Sequence, residues 1–434
     1  MKKSWGLALS VGAAIALIAT GCGKGNGDSS ASSQSGLSGG ATSKAFTITV
    51  SYWEERKAWA DAVEQKFKQK YPNAVIDWKK YEGDKYVNGL LTSQLAAGQA
   101  ADIIINQSPA AYGKAGYVAD MTDLPFAADE FEGLKSQDSY EGKLYGVPLE
   151  SVTTGVFYNK KIFADLGINT PQNWNEFIAA NDKIKAAGIT PILIGAKDSW
   201  TANIVGVTIN HSAVYTANPG FDKAIHDGTA KFNGQELTKG MKMVEQLAAN
   251  GYFNKDAFSI GYDQLRQQFA DGKGAMVING NWFLGDLTAK VQPSFEIGYF
   301  PIRDENGKAT LVAGGDKKVS LNAKSEHLEQ AKDLAVIMFD KSLLPLYLKT
   351  ANALPTVSGV SVDYDQKSMK EIVDLLSALP SSQQIGAFWP GSTNTKFGDM
   401  IAQTLADKKW NPSDLDQLQK LYDTDKSTLV NIPQ

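Results

Sequence analysis

Residues 142–163 have the sequence Gly142-Lys-Leu-Tyr-Gly-Val-Pro-Leu-Glu-Ser-Val-Thr-Thr-Gly-Val-Phe-Tyr-Asn-Lys-Lys-Ile-Phe163, and this stretch decides the fold. Gly146 and Pro148 interrupt an extended run that continues, rich in β-branched and aromatic residues, to Tyr158. The pattern predicts a strand that leaves one body of the protein and enters another. Glu150 lies at this transition, so its carboxylate is either solvated at an edge or directed into a cleft.

The chain before this stretch alternates strands with helices. Residues 46–53 alternate as a strand, and the helix that follows has apolar residues at i, i+4 and i+8. Residues 74–78 and 101–106 are further strands on either side of a second helix. We therefore predict an α/β fold. Because a single core stops growing before a length of 434 residues, the chain is expected to form two domains.

The motifs around the central stretch resemble a known family. The segment Gly-Lys-Leu-Tyr-Gly-Val-Pro is followed by Phe-Tyr-Asn-Lys, and residues 170–177 are Thr-Pro-Gln-Asn-Trp-Asn-Glu-Phe. This pattern resembles the extracellular solute-binding proteins of ABC importers (family 1), in their carbohydrate-binding, maltose-binding-protein-like branch. The resemblance runs from about residue 46 almost to the C-terminus.

The resemblance implies a two-lobed, type II periplasmic-binding-protein-like fold. Each lobe would be a sheet flanked by helices, with a ligand cleft and a hinge between the lobes. Residues 46–151 and 312–357 are expected to form the N-terminal lobe, and residues 152–311 and 358–434 the C-terminal lobe.

Two later segments also match motifs of the family. Residues 269–282, Phe-Ala-Asp-Gly-Lys-Gly-Ala-Met-Val-Ile-Asn-Gly-Asn-Trp, resemble the motif in which a short strand delivers a tryptophan to the cleft. The resemblance implies that Asn281 and Trp282 bind ligand. A glycine-rich segment that lines the cleft in the family corresponds to Leu-Val-Ala-Gly-Gly-Asp at 311–316. Gly315 and Asp316 are therefore candidates, although a simple turn would give the same pattern.

Other candidates follow the ends of predicted strands. In open α/β sheets, ligands bind just beyond the carboxyl ends of the strands. Trp53 and Glu54 follow the first strand, and Asn106 and Gln107 follow the third. Trp200 occupies the corresponding place after a buried strand of the second lobe. Trp53 could instead cover a core.

These residue types suit a neutral sugar. Indole rings stack on the C–H faces of sugar rings, and carboxylates or amides bind the hydroxyls. Because several tryptophans are available, an oligosaccharide is favoured over a monosaccharide. Trp389 lies in a loop with Pro and Gly, and both a ligand contact and a packing role are open for its ring. The predicted substrate-binding set is Trp53, Glu54, Asn106, Gln107, Glu150, Trp200, Asn281, Trp282, Gly315, Asp316 and Trp389.

The N-terminus resembles a lipoprotein signal. Lys2 and Lys3 precede an apolar run, and Ala-Thr-Gly then leads to Cys22, the only cysteine. Residues 1–22 are expected to be a signal peptide, with Cys22 lipidated, palmitate included, and anchored at the outer face of the cell membrane. The alternative is an ordinary secretory signal with an incidental cysteine. The Gly- and Ser-rich residues 23–45 are predicted to be a flexible tether.

Composition and missing motifs exclude several function classes. The net charge is only -4 and basic residues form no runs, so nucleic acid is not expected as a partner. The sequence contains no phosphate-binding loop, nucleophile elbow or His-Glu-x-x-His pair. The three histidines, His211, His226 and His327, are scattered, so neither a metal site nor a cofactor is predicted.

Two functions remain open. One is a monomeric, lipid-anchored sugar receptor, not an enzyme, that delivers its ligand to the permease subunits of an ABC importer. The other is a secreted glycoside hydrolase that takes a carboxylate pair from Glu54, Glu150 and Asp316. The family motifs favour the receptor.

Overall fold

The computed structural model describes residues 44–52, 56–81 and 86–431. A π-helical turn, Tyr86–Leu90, precedes the second helix, and a short 3₁₀ turn, Lys426–Thr428, follows the last one. The strands are β1 (Phe46–Tyr52), β2 (Ala74–Lys80), β3 (Ile103–Asn106), β4 (Ser139–Tyr140), β5 (Lys143–Leu144), β6 (Val147–Val152), β7 (Thr154–Asn159), β8 (Thr190–Leu193), β9 (Gly274–Gly280), β10 (Ile297–Phe300), β11 (Leu311–Val312), β12 (Gly314–Leu321) and β13 (Ser381–Ser382).

The helices cover both faces of the two larger sheets. In chain order they are α1 (Lys57–Lys70), α2 (Leu91–Ala97), α3 (Pro109–Lys114), α4 (Pro125–Asp129), α5 (Glu132–Asp138), α6 (Lys160–Asp165), α7 (Trp174–Ala186), α8 (Ser199–Ala217), α9 (Phe221–His226), α10 (Gln235–Ala249), α11 (Tyr262–Ala270), α12 (Trp282–Lys290), α13 (Leu328–Met338), α14 (Leu344–Ala351), α15 (Lys367–Ala378), α16 (Gly391–Asp407) and α17 (Asp414–Asp425).

The first lobe is built on the sheet β2-β1-β3-β12-β6. Strand β1 pairs in parallel with β2 and β3, whereas β12 runs antiparallel to β3 and β6. Helix α1 turns Trp59, Val63 and Phe67 towards this sheet, at the spacing of successive turns. Helices α13 and α14 pack in the same core, and α2 covers the other face. The strand and helix pattern predicted for this region is confirmed.

The second lobe is built on the sheet β10-β7-β9-β8. Every residue of β7 and β9 is buried, because helices pack on both faces of this sheet. Helix α7 begins at Trp174, and the side chain of Asn173 caps it by accepting a hydrogen bond from the Glu176 N–H at 2.9 Å. The Trp174 ring lies in the core.

Within the described residues, the chain passes between the two sheets three times. The first crossing is Thr153, the one residue between β6 of the first sheet and β7 of the second. The second crossing, residues 301–313, leads from β10 back to β12. The third crossing, residues 352–357, follows α14 and runs beside the end of β6. The strand predicted to leave one body and enter another is therefore the β6–β7 segment.

A buried carboxylate lies beside the third crossing. Glu130 is 4% exposed, its backbone bridges Val357, and the Phe131 N–H donates to the Thr356 carbonyl at 3.0 Å. Within the described part of the chain, neither carboxylate oxygen of Glu130 has a hydrogen-bond partner. Burial, together with the nearby charge of Asp138, raises the pKa of Glu130 to about 9.

We expect Glu130→Gln to reduce the loss of stability at alkaline pH. With a pKa raised from 4.5 to about 9, the folded protein keeps a proton that the unfolded chain releases. The resulting stability is complete below the unfolded pKa and is lost as the pH rises through the folded one. The melting temperature of Glu130→Gln should exceed that of the unsubstituted protein by at least about 3 °C near about pH 8.5.

Circular dichroism melts at this pH and near the unfolded pKa of Glu130 measure the effect. The difference between the two proteins should shrink at the lower pH, where the unfolded chain also keeps about half of its proton at Glu130. An equal difference at both pH values would contradict a buried, protonated Glu130.

Candidate ligand-binding site

Two indole rings meet at one edge of the second sheet. Trp200 lies in the first turn of α8, after β8, and Trp282 begins α12, after β9. Their ring centroids are 6.5 Å apart and the ring planes are tilted by 54°. Because β8 and β9 are parallel neighbours, their carboxyl ends meet at the same edge. Both rings are half-buried, so each keeps part of its surface accessible.

A third ring, Tyr262, joins this cluster. It packs edge-on against Trp200 with centroids 4.7 Å apart. Its N–H donates to Asp198 Oδ2 at 2.8 Å, and its hydroxyl donates to Asp286 Oδ2 at 3.1 Å. The Arg266 guanidinium carbon lies 4.6 Å from the ring centroid, a cation–π contact. Tyr262 was not among the binding residues predicted from the sequence. The sequence feature that marks it is its position directly after Gly261, at the start of a helix.

The backbone before Trp282 fixes the position of its ring. A Cβ atom built on Gly280 would lie 2.0 Å from the Trp282 ring, far inside van der Waals contact. The indole therefore lies directly over the glycine at the end of β9. Only a residue without a side chain leaves room for the ring in this position.

The first lobe brings polar groups together at β6 and β12. Gln107 donates from Nε2 to Asp316 Oδ1, and both side chains are at least partly exposed. Asp316 stands opposite Glu150 in the β12–β6 pairing. Glu150 is fully buried, and its Oε1 accepts from Lys317 Nζ at 2.6 Å. Asp316 and Lys318 both pair with residues of β6. Lys317, which lies between them, has a left-handed backbone with φ 49° and takes no part in this pairing.

Aromatic side chains surround a cavity of about 220 Å³ next to Lys317. Tyr52, Trp59, Trp78 and Tyr347 contribute to its wall, and the rings pack against one another at centroid distances of 5.1 to 6.0 Å. This cavity lies beside the carboxyl end of β1, where sequence analysis places Trp53 and Glu54. These two residues, like Cys22, lie outside the described residues.

Asn106 and Gly315 have packing partners inside the first lobe. The Asn106 amide donates to Ser320 Oγ at 2.9 Å, and its carbonyl accepts from the Ser108 N–H at 2.9 Å. A Cβ on Gly315 would lie 2.7 Å from Pro148, so the glycine permits close packing there.

Trp389 lies in the core of the second lobe. It is 4% exposed, its rings contact Phe232 and Phe397, and its indole N–H donates to Asp222 Oδ1 at 2.8 Å. The structure does not bring its ring into contact with Trp200 or Trp282. Asn281, by contrast, is next to the cluster in sequence, but its side chain is fully buried.

The largest cavity described, about 1210 Å³, lies elsewhere. Helix α5 of the first lobe forms one wall, and Tyr215 and Phe388 of the second lobe belong to the other. The lobes also touch there, since Asn431 Nδ2 donates to the Gln137 carbonyl at 2.7 Å. None of its described wall residues is a tryptophan, and none belongs to the predicted substrate-binding set.

Metal sites and membrane-spanning helices are both absent from the described residues. Among residues 44–52, 56–81 and 86–431, no group of three or more His, Cys, Asp or Glu side chains is arranged to hold a metal ion. Over the same residues, no helix combines the length and the apolar character needed to cross a membrane.

Comparisons with known sequences find sugar-binding relatives. The multiple sugar-binding protein of Streptococcus mutans is 26% identical over 335 residues, which cover 74% of this chain and 78% of that protein. The melibiose/raffinose/stachyose-binding protein MelE of Bacillus subtilis is 24% identical over 265 residues, covering 59% of this chain and 61% of that protein.

Solved structures show the same fold. A chitin oligosaccharide binding protein superposes with a TM-score of 0.77 at 22% identity, covering 88% of this chain and 99% of that one. The solute-binding protein RafE in complex with raffinose gives 0.71 at 21% identity, covering 87% and 100%. The predicted two-lobed fold is confirmed. A family model for bacterial extracellular solute-binding proteins matches residues 51–341, more than half of the sequence, and the chain therefore belongs to this family.

Proposed function

We propose that this protein captures a carbohydrate outside the cytoplasm by closing its two lobes over it, and delivers it to the permease of an ABC importer. The observation that carries the proposal is the pair of half-buried indoles, Trp200 and Trp282, at the carboxyl ends of two neighbouring strands. The names of the relatives, which include binding proteins for multiple sugars and for raffinose, support the same class of ligand.

The geometry of the cluster suits more than one sugar ring. Since the two indoles are tilted by 54° rather than parallel, they present two separate apolar surfaces. Each can stack on the C–H face of a different sugar ring. Gln107 and Asp316 of the first lobe supply amide and carboxylate groups that can bind hydroxyls when the lobes close. We therefore propose an oligosaccharide as the ligand.

The cavity of about 1210 Å³ beside α5 is a weaker candidate for this ligand. Its described wall lacks the tryptophan surfaces on which a neutral sugar stacks, and its size alone does not select a ligand. We propose the Trp200–Trp282 edge as the sugar site because the chemistry there fits.

The hydrolase alternative finds no support. Glu150 is fully buried and its carboxylate is paired with Lys317 Nζ at 2.6 Å, so it presents no solvent-accessible acid or base. The relatives described above are named as binding proteins. We therefore propose binding without turnover.

A panel of sugars tests the function. Raffinose, stachyose, melibiose and chitin oligosaccharides are added to the protein, and the melting temperature is recorded. A ligand that binds only the folded state at about 100 times its Kd stabilises it by about 2.7 kcal/mol, which gives a measurable rise. Chromatography of the same mixtures should show no shortened sugars. A sugar that is cleaved, or a panel without any thermal shift, would contradict the proposal.

We further propose a monomer anchored by lipid at Cys22, on the motif in the first 22 residues. Cell fractionation tests the anchor. The unsubstituted protein should sediment with membranes, and Cys22→Ser should appear in the soluble fraction. Sedimentation of both proteins would exclude lipid at this cysteine as the anchor.

A further inference from the structure

The side chain of Asn281 connects two of the three crossings. Asn281 lies between Gly280, the last residue of β9, and Trp282, the first residue of α12. Its Oδ1 accepts a hydrogen bond from the Thr153 N–H at 2.8 Å, and its Nδ2 donates to the Asn352 carbonyl at 2.7 Å. Its own N–H donates to the Thr153 carbonyl at 3.0 Å. A single residue of the second lobe thus binds both the first and the third crossing.

The surroundings of Asn281 are closely packed. Asn281 and Thr153 are both 0% exposed, and Asn352 is 5% exposed with a left-handed backbone, φ 48°. A Cβ on Gly285 of α12 would lie 2.8 Å from the Ala351 carbonyl oxygen. The backbone of α12 therefore packs directly against the backbone at the end of α14. Water cannot easily replace hydrogen bonds in such a place, so each one restricts how the crossings move.

The third crossing also pairs with the end of β6, directly before the first crossing. The Ser151 N–H donates to the Leu354 carbonyl at 2.8 Å, and the Leu354 N–H donates back at 3.0 Å. A rotation of one lobe against the other therefore has to be accommodated in this hydrogen-bonded group of residues as well as in the second crossing. The side chain of Asn281 attaches the second lobe to this group at both crossings, whereas the Tyr364 hydroxyl binds only the third, donating to the Ala353 carbonyl at 2.6 Å.

We propose that Asn281 is a positioning residue that sets the range of lobe orientations, and through it the sugar affinity, without contacting the sugar. This inference rests on the proposed sugar-binding function. By holding both crossings, the side chain limits the orientations that the ligand-free protein samples, so less freedom is lost when the lobes close. This role differs from the direct ligand contact that the sequence predicts for Asn281.

The variant Asn281→Asp tests the inference. Aspartate keeps an oxygen that can accept from the Thr153 N–H, but its second oxygen faces the Asn352 carbonyl, where a donor is required. Spin labels on α1 and α10 report the separation of the lobes. They are attached through Gln69→Cys and Ala249→Cys, both at exposed positions, in a Cys22→Ser chain that has no other cysteine.

We expect Asn281→Asp to broaden the distance distribution of the ligand-free protein and to weaken sugar binding about fivefold, as the loss of one buried hydrogen bond implies. Asn181→Asp is the matched control. Asn181 is equally buried, and its amide donates to the Phe177 carbonyl at 2.7 Å within α7, a hydrogen bond that involves neither the first nor the third crossing. This control should lower stability while leaving both the distance distribution and the sugar affinity unchanged.

An unchanged distribution for Asn281→Asp, an affinity equal to or above that of the unsubstituted protein, or the same broadening in Asn181→Asp overturns the inference. Asn281→Ala, which adds no charge, provides the same test if the aspartate variant does not fold. If the unsubstituted protein binds no sugar of the panel, the proposed function fails, and the distance distributions still decide whether Asn281 restrains the hinge.

Discussion

Replacing Trp282 with alanine is expected to weaken sugar binding about thirtyfold while leaving the protein folded. Truncation of a central aromatic side chain in a binding site commonly costs about 2 kcal/mol or more. Trp282 is half-buried at the start of α12, and its partner ring Trp200 remains in place in the variant. Isothermal titration calorimetry with the best sugar of the panel measures the loss.

Trp174→Phe is the control for this experiment. Trp174 belongs to the core of the same lobe, where its indole N–H donates to Gln246 Oε1 at 2.8 Å. Its substitution should lower the melting temperature without changing the affinity. If Trp282→Ala bound sugar as tightly as the unsubstituted protein, the sugar would have to lie elsewhere, and the large cavity beside α5 would become the leading candidate.

Gly280→Ala is expected to weaken sugar binding about tenfold, although every ring of the site is retained. The new methyl group would lie 2.0 Å from the Trp282 ring, so the indole has to leave its position over the backbone. Because ring stacking depends on position, a displaced indole loses much of its contact with the sugar. Calorimetry measures the affinity, and the fluorescence of the variant should report a changed environment for the indole.

Gly391→Ala serves as the comparison for Gly280→Ala. A Cβ at Gly391 meets no atom within 4 Å, so this substitution adds the same methyl group without displacing a neighbour. We expect its affinity to equal that of the unsubstituted protein. Equal affinities for the two alanine variants would show that the position of the Trp282 ring does not matter for binding.

Local pattern predicted the α/β class and Trp200, and the family resemblance supplied the two lobes and Trp282. The β-branched and aromatic run around Glu150 predicts the β6–β7 strands because that run is buried along its whole length. Trp200 was predicted because it follows a strand, and Trp282 because its segment resembles the family motif. The structure brings the two together because β8 and β9 are parallel neighbours that end at the same edge.

Residues whose partners are distant in sequence were beyond such reasoning. Asn281 bonds to Thr153, 128 positions away, and to Asn352, 71 positions away. Tyr262 is held by Asp198, 64 positions away, and no strand directly before it marks it as a site residue. A polar or aromatic residue at a helix start can serve a ligand, a core or a hinge, and only the tertiary contacts distinguish these roles.

The single-residue link at Thr153 limits how this protein can change. Adding or removing one residue there would turn the side chains of β7 to the opposite faces of the sheet, so that Phe157 would have to pack in the core that now holds Val156 and Tyr158. Lengthening the connection at Thr153 by one residue would therefore disrupt the packing of the second sheet instead of letting the lobes open wider. Evolution, or a protein engineer adapting the chain to a sensor, has to adjust lobe motion by side-chain replacement around a connection of fixed length.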